Sequence, residues 1–152
     1  MTVLLTLEEA LRIADRLKVP VRDPGLLAAA LVRPAASFGG IPVYTGMAMQ
    51  AAVLLESVAR SGAFIAGNRQ VAVATMQVFL RINGYQHDLS DDQVVHLVGQ
   101  LVAGKLDARE VAEVLAGRKV VTLSEDQTSR PAGRVRSLLG AARSWGRRRK
   151  IV

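Results

Sequence analysis

The sequence predicts an all-α domain, a bundle of about six helices with a short flap loop, followed by a basic C-terminal tail. Three observations carry that prediction. Capping boxes stand at Thr6 with Glu9, Ser90 with Gln93 and Asp107 with Glu110, each placing a polar residue three positions before a side chain that can reach back to it. Half of the 152 residues are apolar but only 4% are aromatic, so the core is built from Ala, Leu and Val, which suits helices packed closely. The connectors between the periodic segments are short, as they are between neighbouring helices of a bundle.

Taken in order, the first helix begins at Leu7 behind its capping box, and Leu7, Ala10, Leu11, Ala14 and Leu17 recur at helical spacing. Asp23 followed by Pro24 starts a second helix, with proline in the first turn where no N–H is needed. That helix runs through Leu26, Leu27, Ala30 and Leu31 and ends before Pro34. Residues 34–45 form a loop by their Pro and Gly content. Within it Ile41, Val43 and Tyr44 suit a short extended piece or hairpin that flexes at Gly39-Gly40. A helix over 46–60 follows, with Met49, Ala52, Val53 and Val58 as buried candidates. The next, 68–83, carries apolar residues around much of its circumference, which predicts burial on several sides. Two capped helices complete the domain, from Asp91 to about Ala103 and from Ala108 to about Ala116.

Beyond Gly117 the character changes. Residues 1–115 hold ten Lys and Arg against eleven Asp and Glu, whereas residues 116–152 hold ten against two, so the net charge of +7 belongs to the tail. Lys119 to Leu123 suits a short strand, and Pro131 opens a basic amphipathic helix with Val135, Leu138, Leu139, Ala142 and Trp145 on one face. Such a segment is either solvated, docked on its own domain, or a binder of nucleic acid, an anionic surface or an acidic partner. The expected domain boundaries are 1–117 and 118–152.

Several function classes drop out on composition. With no cysteine there is no disulfide framework and no cysteine-based zinc site, and two histidines, His87 and His96, do not make a metal cluster. No metal is expected. The N-terminus lacks a basic stretch before an apolar run, and no apolar stretch approaches membrane-spanning length, so a cytoplasmic location is expected.

The stretch with functional content is residues 60–84. A glycine-bounded loop, Gly62 to Gly67, runs straight into the long apolar helix at Asn68. A helix N-terminus offers free N–H groups and the positive end of the backbone dipole, an arrangement that suits phosphate. The same pattern also describes a plain surface loop before a core helix, and the physics of the loop alone leaves both readings open.

Residues 3 to about 116 resemble the Doc toxins, the death-on-curing branch of the Fic (Fido-domain) fold. TLEEALRIADRL is similar to the family's first helix, RDPGLLAAALVRPAASFGG to its second helix and following loop, and FLRINGY to the segment that closes the central helix. The family motif, His-Pro-Phe-x-Asp-Gly-Asn-Lys-Arg, falls on Gly62 to Gln70. Phe64, Gly67 and Asn68 match it, and Arg69 replaces the Lys with another cation. The resemblance assigns the general-base His to the position of Gly62, the Asp to Ala66 and the phosphate-clamping Arg to Gln70, so no catalytic position is intact.

What the resemblance implies is transfer of a phosphoryl group, or of AMP, from a nucleotide to a protein hydroxyl, with elongation factor Tu as the family's target and an antitoxin as partner. ATP or another nucleotide is the implied ligand, with magnesium only if transfer persists. Gly67, Asn68 and Arg69 are the phosphate-binding candidates and Phe64 the anchor of the loop. A positioned base contributes about 10²–10⁴-fold, and one lost donor at developing charge costs about 10²–10³-fold. Loss of base, Asp and Arg together therefore predicts impaired catalysis. Ser61 lies near the loop without an activating base. His87 follows a helix of about sixteen residues, roughly 24 Å long at 1.5 Å per residue, too far from Asn68 to substitute, and His96 is read as a surface or partly buried helical histidine. Two alternatives stand beside the impaired toxin: a transferase with a rearranged site, and an inert binding module acting through an antitoxin-like partner or through nucleic acid on its tail.

Overall fold

The structure, a computed structural model, describes residues 1–117; the strand and amphipathic helix expected in the tail lie outside the described residues. Within them the chain forms six α-helices: α1 (Leu7–Arg16), α2 (Pro24–Val32), α3 (Met47–Ala59), α4 (Asn68–Ile82), α5 (Asp91–Val102) and α6 (Ala108–Leu115). A 3₁₀ turn, Arg33–Ala35, follows α2, and a two-stranded hairpin, β1 (Ser37–Phe38) and β2 (Ile41–Pro42), precedes α3.

The helix starts lie where the sequence signals put them. Thr6, Ser90 and Asp107 each accept from the backbone N–H three residues on, while Glu9, Gln93 and Glu110 return a bond to the cap residue's own N–H. Two of the orphan N–H groups at each start are thus satisfied. Asp23 caps α2 through Gly25 N–H at 2.9 Å and Leu26 N–H at 3.3 Å. The hairpin pairs Ser37 with Pro42 and Phe38 with Ile41. Its two-residue turn is Gly39-Gly40, both at positive φ (57° and 79°), as a primed turn requires. The strands sit earlier than the sequence suggests: Val43 only adds one bond to Ala36, and Tyr44 lies outside the pairing. Proline at 42 and two glycines keep this ladder short.

Helices α3 and α4 pack against each other at the centre, and α3 also carries α6, α2 and α5. Every residue of α4 from Val71 to Leu80 is buried, because alanine and valine on its flanks let neighbouring helices approach on all sides. The polar residues in this region are satisfied locally. Thr75 donates to the Ala72 carbonyl (2.9 Å), and the Ser57 hydroxyl lies 2.9 Å from the Ala30 carbonyl, tying α3 to α2. Arg60, one residue past α3, donates to the Leu101 carbonyl (2.7 Å), which also accepts from Gly104 N–H (3.1 Å), and so ties the end of α3 to the last turn of α5.

The N-terminal segment is held by one side chain eighty positions away. Asn83, at the end of α4, accepts from Val3 N–H (2.7 Å) and donates to Val3 O (2.9 Å), as a neighbouring strand would. Asn83→Ala is expected to lower stability by about 1 kcal/mol, a typical net value for such bonds at a partly exposed site. Urea unfolding measures this, and faster amide exchange at Val3 should accompany it.

Candidate functional site

The loop between α3 and α4 is shaped by its ends and by a clasp from the segment before α2. The Ser61 hydroxyl donates to Val58 O (2.8 Å) and accepts from Ala63 N–H (3.1 Å). It therefore closes the C-terminal turn of α3. Ala63 O accepts from the backbone N–H of both Arg22 (2.8 Å) and Asp23 (3.0 Å). Val21 and Phe64 form an antiparallel bridge. Phe64 is buried, 2% exposed, in the core beneath the loop. Its aromatic ring fixes one end of the turn by burial, worth on the order of 2–3 kcal/mol.

Gly67 then takes the left-handed conformation, φ +94°, and serves as the N-cap of α4 without any side-chain capping bond. The helix of 15 residues thus begins with first-turn N–H groups that no side chain caps. Of the residues expected to form a phosphate cradle, Gly67, Asn68 and Arg69 stand together at this helix start, and Arg69 is exposed. The Asn68 amide is already engaged. It accepts from Phe64 N–H (3.2 Å) and donates to Phe64 O (2.9 Å), stapling the loop across four residues. The group that the sequence offers to an anion is used to hold the turn, and the backbone N–H groups and Arg69 are what remain. Asn68→Ala is expected to cost about 1–2 kcal/mol by leaving both Phe64 groups without this partner. Asn68→Asp keeps the acceptor, loses the donor and should fall between; thermal unfolding of the two variants checks the order.

The three positions to which the resemblance assigns the motif's chemistry differ in their exposure. Gly62 is half-buried with φ +65°, and Ala66 and Gln70 are exposed. None of them brings a base, an acid or a cation to the loop. With Ala66 in place of a carboxylate, the loop has no side-chain oxygen suited to magnesium there. Among the described residues, no group of three or more His, Asp or Glu side chains is placed to hold a metal ion.

His87 lies against Gln77 of α4 through Nε2 and accepts Leu89 N–H at Nδ1 (3.1 Å). His96 is buried in α5 with its Nδ1 lacking a hydrogen-bond partner among the described residues. Sequence reasoning missed Arg22. Its guanidinium donates to Gly62 O through Nε (3.1 Å) and Nη2, so a cation from forty residues upstream clasps the loop. No local pattern signals a contact of that separation.

A protein named Toxin Doc from Mycolicibacterium smegmatis (strain ATCC 700084 / mc(2)155) is 38% identical over 102 residues, which cover 66% of this chain and 78% of that protein. No family model matches the chain, and no solved structure matches it significantly.

Proposed function

The chain belongs to the Doc toxin family, and from that premise we propose that it is the toxin-family component of a toxin–antitoxin pair. In this reading it retains the phosphate-holding start of α4 but is impaired in phosphoryl or AMP transfer. The observation that carries this reading is the loop itself. Gly67 opens α4 in the left-handed conformation with no capping side chain, while Gly62, Ala66 and Gln70 stand where the motif has its His, Asp and Arg.

A bound nucleotide such as ATP would supply the transferable phosphoryl or AMP group. The first-turn N–H groups of α4 hold a phosphate by their dipoles, and the Arg69 guanidinium adds charge beside them. No residue in the loop removes a proton from an incoming hydroxyl at neutral pH. Glycine and alanine do not titrate, and a glutamine amide is neither base nor cation. A protein hydroxyl, with elongation factor Tu as the family's target, would therefore meet a positioned phosphate without an activating base. Loss of the base accounts for about 10²–10⁴-fold in rate, and the effects of residues that act as a unit do not add. The partner of this reading is an antitoxin bound across the toxin's loop face.

Calorimetry with ATP and AMP, using Arg69→Ala as control, tests the phosphate-holding half. Binding weakened by the substitution supports it, and no binding to the unaltered protein removes it. Radiolabelled ATP with elongation factor Tu tests the other half: transfer at rates typical of a kinase, on the order of 1–100 s⁻¹, would overturn impairment. The charge of the tail favours a second reading, nucleic-acid binding through residues 118–152. Deleting them should then abolish salt-sensitive DNA or RNA binding, and unchanged binding excludes it.

A further inference from the structure

We infer that Arg22 is the positioning residue of the loop, and that its clasp is coupled to position 62: a side chain there would press on the guanidinium that holds the loop. The inference rests on reading the loop as the family's active loop, but its geometric content stands by itself. Arg22 donates through Nε and Nη2 to the Gly62 carbonyl. A Cβ built on Gly62 would lie 3.1 Å from Arg22 Nη2, closer than ordinary contact allows. The guanidinium therefore stands in the direction in which any side chain at 62 would project. Being the far end of a flexible side chain, it would yield by a few tenths of an ångström, and that shift weakens its hold on the carbonyl.

Residue 62 is also at φ +65°, where a non-glycine residue is strained by about 1–2 kcal/mol. A histidine restored at 62 thus meets two obstacles, a backbone set for glycine and a cation in its space. The three replaced motif positions are not equivalent for this reason. Ala66 and Gln70 are exposed, whereas a change at position 62 is felt by the guanidinium of Arg22. The clasp also explains how the turn keeps its shape without a motif side chain at 62. The Arg22 and Asp23 N–H groups already bond Ala63 O, and the guanidinium extends that pairing by one carbonyl.

The test is a cycle of Gly62→Ala and Arg22→Ala in the full chain, read by amide hydrogen exchange. Asp23 N–H (bonded to Ala63 O) and Phe64 N–H (bonded to Asn68 Oδ1) report on the loop, and Val78 in the centre of α4 reports on global stability. Arg22→Ala should speed exchange at Asp23 and Phe64 by about tenfold and leave Val78 within about twofold. A residue that merely added stability would move Val78 by the same factor, and that result overturns the proposal. Strain at φ +65° acts in both backgrounds and cancels in the cycle, so coupling is what remains. Gly62→Ala should speed loop exchange at least about threefold less in the Arg22→Ala background than in the unaltered one. A smaller difference means the positions are independent and overturns the coupling. Titration of the same variants with ATP separates the two readings: a protein that binds no ATP ends the phosphate-holding reading and leaves the exchange result decisive for the clasp.

Discussion

Replacing Gly67 by alanine is expected to destabilise the protein by about 2–5 kcal/mol, a large effect for one methyl group. Two costs combine. The residue sits at φ +94°, outside the range that L side chains occupy comfortably, which costs about 1–2 kcal/mol. The added Cβ would also lie 2.8 Å from Gln70 Oε1 and 2.9 Å from both γ-carbons of Val19. Gln70 is exposed and can swing away. Val19 cannot, because its branched side chain packs against the core and is stiff at χ1. Overpacking of this kind adds roughly 1–3 kcal/mol. Urea unfolding of Gly67→Ala measures the sum. Pairing it with Val19→Ala should recover the packing share and leave the backbone share. A Gly67→Ala protein as stable as the parent would mean that the turn is not held in the left-handed conformation.

Phe79→Ala should cost as much or more, about 3–5 kcal/mol. Phe79 heads the fully buried side chains by volume and lies on α4, which is enclosed from Val71 to Leu80. Removing it leaves a cavity in a fully enclosed helix, and such cavities collapse only in part. Phe38→Ala is the matched control: the same side chain at the tip of the hairpin is 85% exposed, and its removal should change stability by less than about 0.5 kcal/mol. Equal effects from the two substitutions would contradict the assignment of α4 as the central helix.

The helical architecture was legible in the sequence because its signals are local. A capping box spans three residues, Asp-Pro spans two, and a helical face repeats within one or two turns, so Thr6, Asp23, Ser90 and Asp107 marked their helices without reference to the rest of the chain. The hairpin was legible through Gly39-Gly40, although its strands sit a few residues earlier than apolar content suggested. The loop was legible only as a loop. What shapes it are the partnership of Arg22 with Gly62 across forty positions and the engagement of the Asn68 amide with Phe64. Asn83 with Val3, eighty positions apart, is a case of the same kind. Long-range pairing leaves no periodicity to read. The histidines could not be placed by pattern for the same reason: His87 turns out to be tied to Gln77, and His96 to be interior.

Of the three positions that the resemblance sets against the motif's His, Asp and Arg, two share a property with a consequence for how such a protein changes over time. Ala66 and Gln70 face water and Gly62 is half-buried, while Phe64, Gly67 and the interior of α4 are locked into the core or the backbone turn. Substitutions at exposed positions typically shift stability by less than about 0.5 kcal/mol, so selection for folding barely registers them. At Ala66 and Gln70 the chain can therefore exchange side chains without approaching the stability threshold, a freedom that Gly62, set in the turn at φ +65°, does not share.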